Sequence, residues 1–141
     1  MTRPRPSQQP SVPTQRSPHR PVTSGPVADV LVDTDIFVDH LRGAAELKAG
    51  RHRLHYSVIT RAELFAGSSA TNVVVQLLGP LREVEVDRVI AERAGRVRRE
   101  TGIRLPDALI AATALERKLE VATRTVRDFS RVRGLRIRTM S

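Results

Sequence analysis

Five of the fifteen acidic residues stand at positions where carboxylates can do chemistry together: Asp33, Asp35, Glu63, Asp107 and Asp128. Two carboxylates ~4 Å apart repel by roughly 1–4 kcal/mol, depending on the effective dielectric. Three or four brought together need bound protons or a divalent cation. The chain has no cysteine, and its four histidines (His19, His40, His52 and His55) show no paired spacing. Any metal ligands are therefore carboxylate oxygens, which favour hard ions such as Mg²⁺ or Mn²⁺. Such an ion polarises phosphoryl oxygens and lowers the pKa of bound water.

Each acid also has a purely structural reading. Asp33 or Asp35 can cap the helix that follows. Asp107 near a helix N-terminus is favoured by the helix dipole alone. Asp128 can be a solvated helix acid. Glu63 lies in a run with Ile59, Ala62, Leu64, Phe65 and Ala66, on a stripe expected to face the core. A glutamate is rarely buried there without a partner.

The elements that must position these acids follow from the apolar pattern. Val30-Leu31-Val32 is continuously apolar, as a strand buried on both faces would be. Ile36–Leu41 reads as a short helix, and Ala44–Ala49 as another between Gly43 and Gly50. Leu54–Val58 is strand-like, Ile59–Ala66 a helix ending at Gly67, and Thr71–Leu78 a helix closed by Gly79-Pro80. Val84 and Val86 alternate with acids, the period of a half-exposed strand.

Asp87 should cap a long helix to Thr101, striped by Ile90, Ala94 and Val97 and stopped by Gly102. Pro106 starts a helix that continues from Asp107 to Lys118, nearly all apolar over Leu109–Leu115. Leu119–Thr123 is a strand, Val126–Val132 a short helix and Leu135–Arg138 a last strand. Strands separated by helices imply a parallel sheet between helical layers, an α/β/α sandwich. In such sheets ligands bind beyond the carboxyl ends of the strands. That rule picks out Asp33, with Asp35 two residues on, Asp107 and Asp128.

Residues 1–28 differ from the rest. They hold seven of nine prolines and four arginines, with no acid and no apolar run. We expect a disordered tail there and one domain over 29–141. No secretory h-region and no stretch of transmembrane length occurs. The chain carries +9, with 22 arginines and only two lysines, Lys48 and Lys118. Four of those arginines lie in the tail, which leaves +5 for the domain. A polyanionic partner fits this balance. Codon usage in a GC-rich genome fits it equally, so charge alone does not establish nucleic-acid binding.

Three stretches together resemble the PIN-domain family, and within it the VapC toxins. They are VLVDTDIFVDHLRG, HYSVITRAELFAG and LPDALIAATALERKLEVATRTVRDF. The likeness spans Val30–Ile137 and is most specific in the third stretch. It maps the family's acids onto Asp33, Glu63 and Asp107, with Asp33 and Asp107 as metal ligands. Many relatives carry an acid or Asn directly after the Thr-Arg pair, where this chain has Thr125. The fourth position then falls to Asp128, or to the Thr125 hydroxyl, and Arg124 becomes a candidate contact for the RNA backbone.

The resemblance implies a cytoplasmic endoribonuclease that cuts single-stranded RNA with Mg²⁺ or Mn²⁺. Metal-activated water would be the nucleophile and a 5′-phosphate the product. It also implies a homodimer and a cognate VapB-type antitoxin. Two other readings compete with this one. Asp33-Thr34-Asp35 also resembles the DxD of haloacid-dehalogenase-type phosphatases, but Lys118 is poorly placed for that family and no downstream acidic pair follows. An inactive PIN scaffold that only binds RNA or protein is opposed by the retention of Asp33, Glu63 and Asp107.

Overall fold

A computed structural model of the chain describes residues 26–140. The expected tail falls almost wholly outside the described residues. Within them Ala28 is tied to the fold: its N–H donates to His52 Nδ1 at 2.9 Å and its side chain packs on the core.

The elements run β1 (Asp29–Val32), α1 (Thr34–Leu41), β2 (Arg53–Ser57), α2 (Val58–Ala66), α3 (Thr71–Leu78), β3 (Arg82–Val84), α4 (Arg88–Thr101), α5 (Leu105–Arg117), β4 (Glu120–Ala122), α6 (Val126–Phe129) and β5 (Ile137–Arg138). All strand pairs are parallel, in the order β3-β2-β1-β4-β5. The chain builds outward from β1 to β3, then crosses back to place β4 on the other side of β1. That reversal makes the β1/β4 junction the switch point of the sheet, where a crevice opens beyond the strand ends.

The alternation of side chains along β1 sorts the core into two layers. Val30 and Val32 face one cluster with Phe37, Leu54, Tyr56, Leu64, Val74 and Leu78, under α1 to α3. Leu31 faces the other with Ile90, Ala94, Ile110, Val121 and Phe129, under α4 to α6. This is the expected three-layer sandwich. Alanines 108, 111, 112 and 114 let α5 pack closely on its neighbours, and all four are buried. Asp87 caps α4 as expected, its Oδ1 accepting the Ile90 N–H at 2.9 Å. Gly102 ends that helix at φ 76°, a conformation L side chains rarely adopt. No described helix is long and apolar enough to cross a membrane.

One expected element is missing. Ala44–Ala49 forms no helix. Six residues between two glycines make too few hydrogen bonds to offset nucleation. The segment folds back instead: the Ala44 N–H donates to the Asp39 carbonyl at 2.9 Å, and the Leu47 N–H to His40 Nδ1 at 2.9 Å. The third strand sits at Arg82–Val84, earlier than the Val84/Val86 alternation implied, and α6 stops at Phe129 rather than Val132. Val84 and Val86 still serve the core, since both pack on the cluster under α4 and α5.

Candidate active site

The register of β1 and β4 builds the site. Val32 lies opposite Ala122, so the next residues, Asp33 and Thr123, meet where the two strands end. The Asp33 N–H donates to the Ala122 carbonyl at 2.8 Å, and Thr123 Oγ1 donates to Asp33 Oδ2 at 2.7 Å. Asp33 Oδ1 accepts the Thr34 N–H at 2.8 Å, so the residue does cap α1. Capping alone does not explain its surroundings. Asp33 is only 4% exposed, and no basic side chain pairs with it among the described residues. Burial, then the charge of Asp35, pushes its carboxyl up to about 7, against the pull of Thr123 and Thr34. Asp107 adds to the rise.

Asp35, a strand-end acid outside the set that the family resemblance implies, also lines the cleft. Its carboxylate accepts the Arg124 N–H at 3.1 Å and the Thr125 hydroxyl at 2.8 Å. The Thr125 N–H in turn donates to Thr123 Oγ1 at 2.9 Å. The Thr-Arg-Thr turn after β4 is thus laced to both aspartates after β1. The Thr125 hydroxyl donates to Asp35, and both Thr125 and Asp128 line the cleft.

Glu63 departs from the expected core stripe. Thr60 and Leu64 are the buried residues of α2, while Glu63 is half-buried and Ala66 exposed. The helix is rotated so that Glu63 flanks the core and reaches the cleft. There Thr34 Oγ1 donates to Glu63 Oε1 at 2.6 Å. Thr34 has one hydroxyl proton, so Thr60, at 2.9 Å, is the donor to Thr34. Two threonines therefore fix the glutamate.

Asp107 sits in the first turn of α5, its side chain 14% exposed. Burial raises its carboxyl, with Glu63 and Asp128 adding to the rise and Arg104 opposing it. Among the described residues its one basic contact is Arg104 Nε at 3.5 Å, from a side chain 74% exposed. Arg124 is likewise exposed and leans on Asp39, Nε to Oδ2 3.2 Å.

Asp33, Asp35, Glu63, Asp107 and Asp128 line one cleft of about 370 Å³, with Thr34, Val38, Arg104, Arg124 and Thr125. Five acids against two arginines leave a local negative surplus in a chain of net charge +9. The acids do not converge as tightly as expected: among the described residues, no three acidic or histidine side chains are gathered closely enough to enclose an ion. Asp33, Asp35 and Glu63 each accept from a donor of the protein, and Asp107 meets Arg104, which offsets part of their mutual repulsion. The donor set still fits a hard divalent cation, being all oxygen and centred on a buried carboxylate with no counter-charge.

The sequence reading did not single out Thr34, Thr60, Thr123 or Arg104. The only available signal was the placement of threonines beside acids in VDTD and TRTVRD, and a hydroxyl's target cannot be read from its neighbours in the chain.

A buried unpaired carboxylate has a signature in stability. Its folded value lies above its ordinary one near 4, so the fold takes up a proton there more readily than the unfolded chain. Its stabilising contribution is greatest below pH ~4 and is lost as pH rises toward 7. Asp29, held low chiefly by Arg53, Glu83 by Arg61, and Asp87 by the Ile90 N–H, are ionised across that window. EDTA-treated protein is expected to melt higher at about pH 5.5 than at about pH 7.5, and Asp33→Asn to flatten the difference. A wild-type slope no steeper than that of Asp33→Asn contradicts the unpaired burial.

Comparison with known proteins agrees with this geometry. The family model for the PIN domain matches residues 30–135. The chain is 39% identical over 113 residues to Ribonuclease VapC10 of Mycobacterium tuberculosis, spanning 71% of this chain and 85% of that one. The fold resembles a toxin–antitoxin complex from Klebsiella pneumoniae at TM-score 0.66 and 32% identity, covering 75% of this chain and 94% of the other. It also resembles DNA-bound VapBC from Salmonella typhimurium at TM-score 0.65 and 25% identity, covering 80% and 98%. The chain belongs to the PIN-domain family and, within it, is similar to the VapC ribonucleases.

Proposed function

We propose that the cleft is the active site of a metal-dependent endoribonuclease for single-stranded RNA, the toxic half of a VapBC-type pair. The observation that carries this reading is the buried Asp33 carboxylate, without a basic partner among the described residues, beside four further acids at the switch point of the sheet. Asp33 and Asp107 would hold Mg²⁺ or Mn²⁺. Bound there, the ion would polarise a phosphoryl oxygen and acidify a water at neutral pH. Thr123 holds Asp33 in place from β4, and Thr34 holds Glu63 where it can orient a water. Asp128 supplies further negative charge next to Asp107. Arg104 and Arg124, on exposed stems at the rim, would meet the phosphate backbone that must approach an acidic cleft.

The same surplus of acids supports a cognate VapB-type antitoxin that inserts a basic side chain into the cleft. A homodimer and a cytoplasmic setting follow the family reading, in keeping with the similarity to VapC10 and to the VapBC and toxin–antitoxin structures. Induced expression of the chain is expected to arrest bacterial growth, and Glu63→Gln to abolish the arrest. Purified protein should cut single-stranded RNA, leave 5′-phosphates and spare a duplex of the same sequence. Growth arrest by Glu63→Gln equal to that of the wild type, or equal cleavage of duplex, would refute the reading.

A further inference from the structure

The acidic cleft is not the only cavity among the described residues. A groove of about 540 Å³ lies between α4 and the turn after α6, and its charge is opposite. Arg93, Arg96, Arg131 and Arg133 line it, with Glu100 as its only acid. Arg93 is paired with Glu116 at 2.7 Å. Arg96, Arg131 and Arg133 are exposed and have no acidic partner among the described residues. Val97, Leu115 and Val132 form an apolar floor, with Val97 and Val132 buried.

The groove adjoins the cleft on two sides. Asp128 lines the cleft, and one turn on Arg131 lines the groove; the Arg131 N–H donates to the Asp128 carbonyl at 3.2 Å. Arg104 lines the cleft, and Thr101, three residues earlier, lines the groove. A strand with one phosphate in the cleft can therefore continue into the groove. Arginines match phosphates in charge and in planar geometry. The apolar floor suits sugars and unpaired bases, which a duplex does not present.

We propose that this arginine-lined groove is a second binding site for single-stranded RNA, holding the nucleotides next to the one in the cleft. It rests on the nuclease reading for the identity of the strand. Three unpaired arginines that each neutralise a phosphate give a definite salt dependence. For single strands, log K falls with log[salt] by about 0.7 per phosphate neutralised.

The test measures binding of a labelled single-stranded RNA to Asp33→Asn in EDTA over a range of salt. Asp33→Asn is compared with the same chain carrying Arg96→Ala, Arg131→Ala and Arg133→Ala. A control carries Arg42→Ala, Arg82→Ala and Arg88→Ala, which remove the same charge from exposed positions outside both cavities. The groove variant is expected to lose about 10-fold or more in affinity at ~0.1 M salt and to have a slope shallower by about 2. The control should lose far less. In otherwise wild-type protein, the groove variant's deficit in kcat/KM should be larger for a long single strand than for a trinucleotide. Equal losses in the two triple variants, or no RNA binding by Asp33→Asn, would overturn the proposal. Failure of the wild type to cleave either RNA would strike the nuclease reading instead, and the binding comparison would still decide the groove.

Discussion

Asp33→Asn is expected to cut RNA cleavage by at least about 100-fold while making the metal-free protein more stable. Loss of one partner that merely supports a metal ligand costs 10–100-fold, and loss of a ligand's charge should exceed that. The opposite sign in stability comes from the same burial. Asp33 is 4% exposed and sits beside Asp35, with Asp107 adding further negative charge. Asparagine keeps the shape and remains a good helix cap, and Thr123 can still bond to its amide. Removing the desolvated charge should then stabilise the fold by on the order of a few kcal/mol at neutral pH. Thermal melts in EDTA together with cleavage assays read both. An Asn variant that is less stable and still active would contradict both halves of the argument.

Divalent metal should raise the melting temperature of the wild type by on the order of 10 °C when present at ~100 times its dissociation constant. A ligand at that excess stabilises by about 2.7 kcal/mol, and a domain of this size shifts several degrees per kcal/mol. Asp33→Asn and Asp107→Asn should lose most of this response. Asp128→Asn should keep part of it and regain cleavage at high Mn²⁺, because Asp128 is the weakest of the influences on the Asp107 carboxyl. Mn²⁺ stabilising Asp33→Asn as strongly as the wild type would remove Asp33 from the metal site.

The parts of this molecule legible in the sequence were those written in local patterns. The apolar VLV of β1, the Asp87 cap with Gly102 at the far end of α4, and Pro106 at the start of α5 announce buried strand and helix ends. With parallel connections, these put Asp33, Asp107 and Asp128 at one edge of the sheet. The segment after α1 was misread because alanine favours helix over six residues only when something nucleates it. Glu63 was placed on the core stripe because a nine-residue helix leaves its rotation undetermined by period alone. The rotation is set by Thr60 and Leu64 packing inward and by Thr34 meeting the glutamate, a contact between residues 29 apart. The groove was illegible for the same reason, since Arg96 and Arg131 come to line one cavity only when the turn after α6 packs near α4.

Incubation of a labelled single-stranded RNA with the wild-type protein in Mg²⁺ or Mn²⁺, in EDTA, and with Asp33→Asn in metal tests the central claim most directly. Cleavage to 5′-phosphate products is expected in the first case alone, with restoration when excess metal is returned to the EDTA-treated enzyme. Undiminished cleavage in EDTA, or by Asp33→Asn, would contradict a metal-dependent nuclease built on this carboxylate cleft.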